Sequence, residues 1–306
     1  MPVEFTYTLP DPGEDLLASG DNGDLVHVES ADGAWRATLT LGASSVRLSG
    51  PERTFAEPTA AHPVRHSVWV RTLPEPFNGH LGGAWLRNAL HANRQRLPDV
   101  FAIAMQYLHG AAAVHDGDLQ VAGAATYGPI VNGTRQERSD FNDYLGITWS
   151  YPDGRVDSPE PQEFRCLDCS GYMRIIWGYR QSLAGVGRAS IPLCYRPLQD
   201  RSALPRRAYQ MQASGSGVMV IENEGHQITS FEGLLPGDLV FFDADSNDGP
   251  QIDHVGMYLG FDEGGHHRFV SSRKTHNGPT MGDTAGKSIL DGSGHYAAKF
   301  RSARRL

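Results

Sequence analysis

The sequence predicts an α+β protein with a β-rich N-terminal domain over residues 1–80 and a second domain over 81–306. In the second domain a cysteine-bearing helix packs on an antiparallel sheet. Three observations predict this. Residues up to about 75 alternate polar with apolar or β-branched side chains, without helical spacing. Helical spacing begins near residue 80. Three alternating segments separated by Gly/Asp-rich turns then follow one another late in the chain.

Taken in order, WRATLTLGASSVRLSG and HSVWVRTLP read as strands on either side of a proline-rich break. GGAWLRNALHANRQ and PDVFAIAMQYLHGAAAV read as helices, with Phe101, Ala104, Met105 and Leu108 on one side. The stretch from about 128 to 165 is dense in Gly, Pro, Asn and Asp and reads as a long loop insertion. In FRCLDCSGYMRIIWGYR, Asp168 suits a helix cap, and Tyr172, Met173 and Ile176 form an apolar face beside Cys169. LLPGDLVFFDAD, IDHVGMYLGFD and HHRFVSSRK are the three late strands, and the terminal FRSARRL reads as a solvated strand edge.

Composition narrows the function. The 306 residues include 35 glycines and 19 prolines, which favours turns over a helical bundle. A net charge of −8 disfavours nucleic-acid binding, which needs clustered positive charge. No apolar run is long enough to span a membrane. The opening MPVEFTYTLPDPGEDLL lacks the basic-then-apolar pattern of a signal peptide, so a cytoplasmic location is expected, or export if the N-terminus has been trimmed.

The three cysteines, Cys166, Cys169 and Cys194, are too few and odd in number for a disulfide scaffold. Cys169 at a helix start is the candidate nucleophile, because unpaired amides and the helix dipole favour a thiolate there. His254 is the candidate base: it opens a strand on the face shared with Gly256 and Tyr258, while Val255, Met257 and Leu259 take the other. Two metal readings are weaker. Cys166 and Cys169 form C-x-x-C, with Cys194 as a possible third sulfur of a zinc or redox site, but a second cysteine pair is missing. DADSNDG (243–249) resembles a calcium loop whose glycine stands one place late and whose twelfth position is His254. No cofactor and no metal are expected.

DCSG at 168–171, PGDLVFF ending at 242 and HVGMYLG at 254–260 occur in a fixed order. Together they resemble the NlpC-type cysteine peptidases, bacterial cell-wall γ-D-glutamyl endopeptidases of reduced papain-like fold. The resemblance extends over about 97–306, with FRSARRL similar to the family's closing strand and the first 80 residues outside it. It implies a papain-like catalytic domain, Cys169 as nucleophile and His254 as base. Asp168, Ser170 and Tyr127 are implied to line the substrate pocket. The implied substrate is a peptidoglycan fragment or a related small peptide, cut between D-glutamate and the diamino acid. A catalytically silent binding module is the alternative.

A third catalytic group is needed to orient His254. A hairpin turning at Glu263-Gly264 would pair Gly256 with Ser271 and Gly260 with His267. Ser271 then lies diagonal to His254 and matches the family position in RFVSSR. A one-residue slip would substitute Ser272. His266 would point to the other face, and His267 would lie far along the strand and, like His266, be solvated at the hairpin.

Overall fold

The computed structural model describes residues 7–8, 16–20, 24–183, 185, 187–245 and 249–306. Six N-terminal strands form an antiparallel meander: β1 (Tyr7–Thr8), β2 (Leu16–Gly20), β3 (Leu25–Ser30), β4 (Trp35–Thr40), β5 (Ser45–Phe55) and β6 (Val64–Thr72). Two helices follow, α1 (Gly83–Arg94) and α2 (Val100–Met105). Asp99 caps α2 through the Ala102 amide and also accepts from both terminal nitrogens of Arg53 and from the Val70 amide. One buried carboxylate thereby fixes α2 against β5 and β6. The helical spacing continued to about 113, but α2 ends at Met105, and Gln106–Gly110 form turns.

The expected 128–165 insertion contains a helix that composition concealed, α3 (Phe141–Leu145). Asp140 and Asp143 supply both halves of its capping box, and Gly146 ends it in the left-handed region. The helix α4 (Cys169–Arg174) begins at the cap Asp168, which accepts from the Gly171 amide, and continues as a wider turn through Tyr179. Tyr172, Met173, Ile176 and Trp177 on it are fully buried.

The second sheet contains β7 (Val218–Ile221), β8 (Leu239–Phe242), β9 (His254–Phe261), β10 (His267–Arg273), β11 (Gly278–Thr280) and β12 (Phe300–Arg305). Its order is β7-β12-β8-β9-β10-β11. A short helix, α5 (His295–Lys299), runs directly into β12. FRSARRL is therefore a strand but not a solvated edge: β12 is central and buried along its length. Its arginines tolerate this because Arg301 pairs with Asp243, Arg305 pairs with Asp238, and Arg304 donates to three backbone carbonyls.

β9 and β10 pair as Met257–Val270 and Tyr258–Phe269, the expected alignment. Beyond Tyr258 the register slips by one, so Gly260 meets Arg268 rather than His267. Gly260, at φ +113°, takes up the irregularity in a conformation other residues rarely adopt. The slip lies on the hairpin side of Tyr258, away from His254.

β9 carries two cores. Val255, Met257 and Leu259 join a large cluster with Phe101, Tyr172, Met173 and Trp177, and this cluster also takes in Phe55, Val64 and Val70 of the first sheet. Tyr258 lies in a second cluster with Phe242, Phe269 and Tyr296. The two sheets are further joined by a buried triad. Asp238 accepts from Arg47 at 2.5 Å and from Arg305 at 2.9 and 2.8 Å. Removing the shared carboxylate would strand two buried guanidiniums, so Asp238→Ala should lower the unfolding free energy by about 3–5 kcal/mol. A urea midpoint close to the parent's would contradict this.

Candidate active site

The site is assembled at the N-terminal end of α4 and the first residue of β9. The Cys169 thiol donates to the Asp253 carbonyl at 3.8 Å, and the Val255 amide donates back to its sulfur. The sulfur thus lies against the backbone on both sides of His254. The His254 ring packs against Tyr296 and Phe242, with centroids 5.3 and 5.7 Å away. Cys169 is only 5% exposed and His254 7%.

Burial sets the protonation state. It pushes the Cys169 thiol well up, and the Asp168 carboxylate adds to the effect. Burial also holds the His254 imidazole down to about 3, assisted by the positive charge of Arg273 and by His295. At neutral pH the thiol and the imidazole are therefore both neutral, and the thiol's hydrogen bonds run to the backbone at Asp253 and Val255 rather than to the His254 ring. In this closed arrangement the same burial disfavours the imidazolium, so the ring becomes an effective proton acceptor only when water or substrate reaches it. Of the first-turn amides of α4, that of Gly171 is taken by the cap Asp168, while those of Cys169 and Ser170 open the helix.

Tyr127 is buried beside this pair: burial first, then the charges of Cys169 and Asp168, raise its hydroxyl well above the ordinary value. Asp168 and Ser170 occupy a buried polar network rather than an open wall. Ser170 donates to Asp168 at 3.0 Å, and Arg206 donates to Asp168 at 2.8 and 3.2 Å and to Ser170 at 2.7 Å. Against the cost of burial, Arg206 holds the Asp168 carboxyl below its ordinary value. Arg206 also approaches Asp140 at 3.4 Å, which Arg174 of α4 binds at 3.0 Å.

The groups considered as orienters of His254 are engaged elsewhere. Ser271 is fully buried and accepts from Arg273 Nε at 3.2 Å. Ser272 donates to the Leu167 carbonyl at 2.5 Å. His266 pairs with Asp291 at 2.6 Å on the surface, while half-buried His267 hydrogen-bonds Tyr258 at 2.8 Å and stacks on Phe231. Among the described residues, His254 Nε2 is buried without a hydrogen-bond partner. Gly256 does lie beside Ser271, as expected: a Cβ on it would come within 3.2 Å of the Ser271 Cβ.

Sequence reasoning missed Arg206, Arg273 and Tyr296. Arg206 and Tyr296 reach the site from distant segments that no motif marks, whereas Arg273 closes the RFVSSR segment and is passed over there in favour of its serines. All three cysteines are free, and the Cys166 sulfur is 3.2 Å from the Thr126 hydroxyl. Among the described residues one acidic group, Asp143, Glu160 and Glu163, brings its ligand oxygens within 4.8 Å of one another. Burial and a hydrogen bond with Glu160 push the Asp143 carboxyl up to about 8, so that cluster can hold a proton. Of the possible calcium loop, residues 246–248 lie outside the described residues; Asp243 pairs with Arg301. Among the described residues no helix is long and apolar enough to cross a membrane.

Residues 157–287 match the NlpC/P60 family. The matched segment includes Cys169, His254 and Ser271 and leaves out Tyr127 and β12. No curated protein sequence matches the chain.

Two outcomes follow from this geometry. A Cβ on Gly171 would stand 2.4 Å from the Ser139 carbonyl oxygen, so Gly171→Ala should force α4 away from α3 and cost about 1–3 kcal/mol of stability. Thermal unfolding at the parent temperature would contradict this. The second concerns pH. The folded His254 takes up a proton only near pH 3, whereas the unfolded one does so near its ordinary 6.5. Between these values the unfolded state binds more protons, so this group's contribution to stability falls as pH drops. His254→Gln should flatten the stability–pH curve across that window in urea titrations; an unchanged slope would contradict it.

Proposed function

Starting from the NlpC/P60 assignment of residues 157–287, we propose that the protein is a cysteine peptidase or amidase acting on a bacterial cell-wall peptide. The bond proposed is the γ-D-glutamyl–diamino acid amide of a peptidoglycan stem peptide, or its equivalent in a related small peptide. The observation that carries this reading is the Cys169 sulfur held at the start of a capped helix, against the backbone flanking His254.

Cys169 Sγ attacks the amide carbonyl while its proton passes to His254, so no resting ion pair is required. The carbonyl oxygen becomes an oxyanion stabilised by the Cys169 and Ser170 amides at the start of α4, the Gly171 amide being held by Asp168. His254 returns the proton to the leaving amine, and the C–N bond breaks to leave a thioester on Cys169. Water then attacks the thioester, giving its proton to His254, and the thiol re-forms as the carboxylic acid departs. Tyr127 and Tyr296 wall the reacting centre. Both catalytic side chains are buried, so a substrate reaches Cys169 only if neighbouring side chains shift.

A silent binding module is the second reading. It draws support from the unpaired His254 Nε2 and from the engagement of Ser271 by Arg273. A screen of stem peptides with mass-spectrometric readout separates the two. The hydrolase reading expects cleavage that disappears in Cys169→Ala and drops at least about 100-fold in His254→Ala. Ser271→Ala should cost little, at most the about 1–2 kcal/mol of one neutral hydrogen bond. Peptide binding without cleavage by the parent protein would favour the silent module.

A further inference from the structure

Arg206 lies just before a short helix (Ala208–Ser214) and is 4% exposed. Its guanidinium reaches two separate segments. It grips both oxygens of the cap Asp168 and the Ser170 hydroxyl at the start of α4, and it donates to the Arg138 carbonyl and approaches Asp140 on the segment leading into α3. Arg138 sits at φ +120°, a conformation that a side-chain-bearing residue keeps only when its surroundings impose it. The Arg138 amide closes the loop by donating to Asp168 at 3.2 Å.

We infer that Arg206 is a positioning residue for the Cys169 nucleophile, clamping the helix cap to the preceding loop and offsetting the Asp168 charge beside the sulfur. This rests on the reading of Cys169 as a nucleophile. Two carboxylates, Asp168 and Glu137, disfavour the thiolate, while Arg206 favours it. His254, Tyr127 and Tyr296, the other titratable neighbours, are neutral at neutral pH. Arg207 also acts on Asp168, but without the two-oxygen grip that Arg206 provides.

The test is the rate of Cys169 alkylation by iodoacetamide across pH, read by peptide mapping. In Arg206→Met the uncompensated Asp168 charge should slow alkylation about tenfold at about pH 8, equivalent to one unit of thiol pKa. Arg206→Lys should stay within about threefold of the parent. Adding Asp168→Asn to Arg206→Met keeps a competent cap and removes the charge, so reactivity should return towards the parent value. A double variant as slow as Arg206→Met would reveal mere loss of packing and overturn the inference, as would a parent-like Arg206→Met. Should Arg206→Met fail to fold, Asp168→Asn alone decides: its profile should move to lower pH, and an unmoved profile overturns the inference. A parent protein that cleaves no stem peptide while these profiles shift would remove the hydrolase reading and support the role of Arg206. Cleavage with unshifted profiles would do the reverse.

Discussion

Asp140, Asp168, Arg174 and Arg206 lie buried together beneath the first turn of α4, two carboxylates against two guanidiniums. Such groups stay charged away from water only when each meets an opposite charge and fills its remaining hydrogen-bond positions. Here they do. Asp140 accepts from Arg174 and from the Tyr151 hydroxyl, and Arg174 donates onward to the carbonyls of Cys194 and Leu204. The capping residues of α3 and α4 are thereby joined, so the start of the Cys169 helix is fixed from several distant segments at once.

The same logic recurs where the sheets meet. Asp99 fixes α2 to the N-terminal strands, and Asp238 gathers Arg47 and Arg305. Asp262 and Asp283 hold Arg268 at the far end of the β9–β10 hairpin. His66 of β6 is 2.9 Å from the Leu259 carbonyl of β9. The first sheet therefore buttresses the strand that begins with His254, and the large core runs continuously from one sheet into the other. A side chain at the mouth of β9 is held by packing on both faces, which explains how a histidine can be kept neutral there.

Local pattern made much of this legible. Alternation along IDHVGMYLGFD separated the two faces of β9, and the cores divide Val255, Met257 and Leu259 from Tyr258 accordingly. Asp168 stood where a cap was needed, and α4 starts there. What stayed hidden depends on distance along the chain. A basic C-terminal run looks solvated until Asp238 and Asp243 are known to lie beside it. The bulge at Gly260 left no trace, because a glycine in a strand signals several local shapes equally well. Arg206 and Arg273 act through ion pairs and hydrogen bonds that no periodicity encodes. Asp168 and Ser170 illustrate the limit most plainly, since a motif names the residues but not whether their polar atoms are already engaged.

The account depends on Cys169 carrying the substrate's acyl group. Intact-protein mass spectrometry during turnover of a stem peptide tests this most directly, with rapid acid quenching and mapping of any adduct. The account predicts a transient mass increase equal to the acyl fragment, located on Cys169. Hydrolysis that proceeds with no adduct on Cys169, and persists in Cys169→Ala, would contradict it.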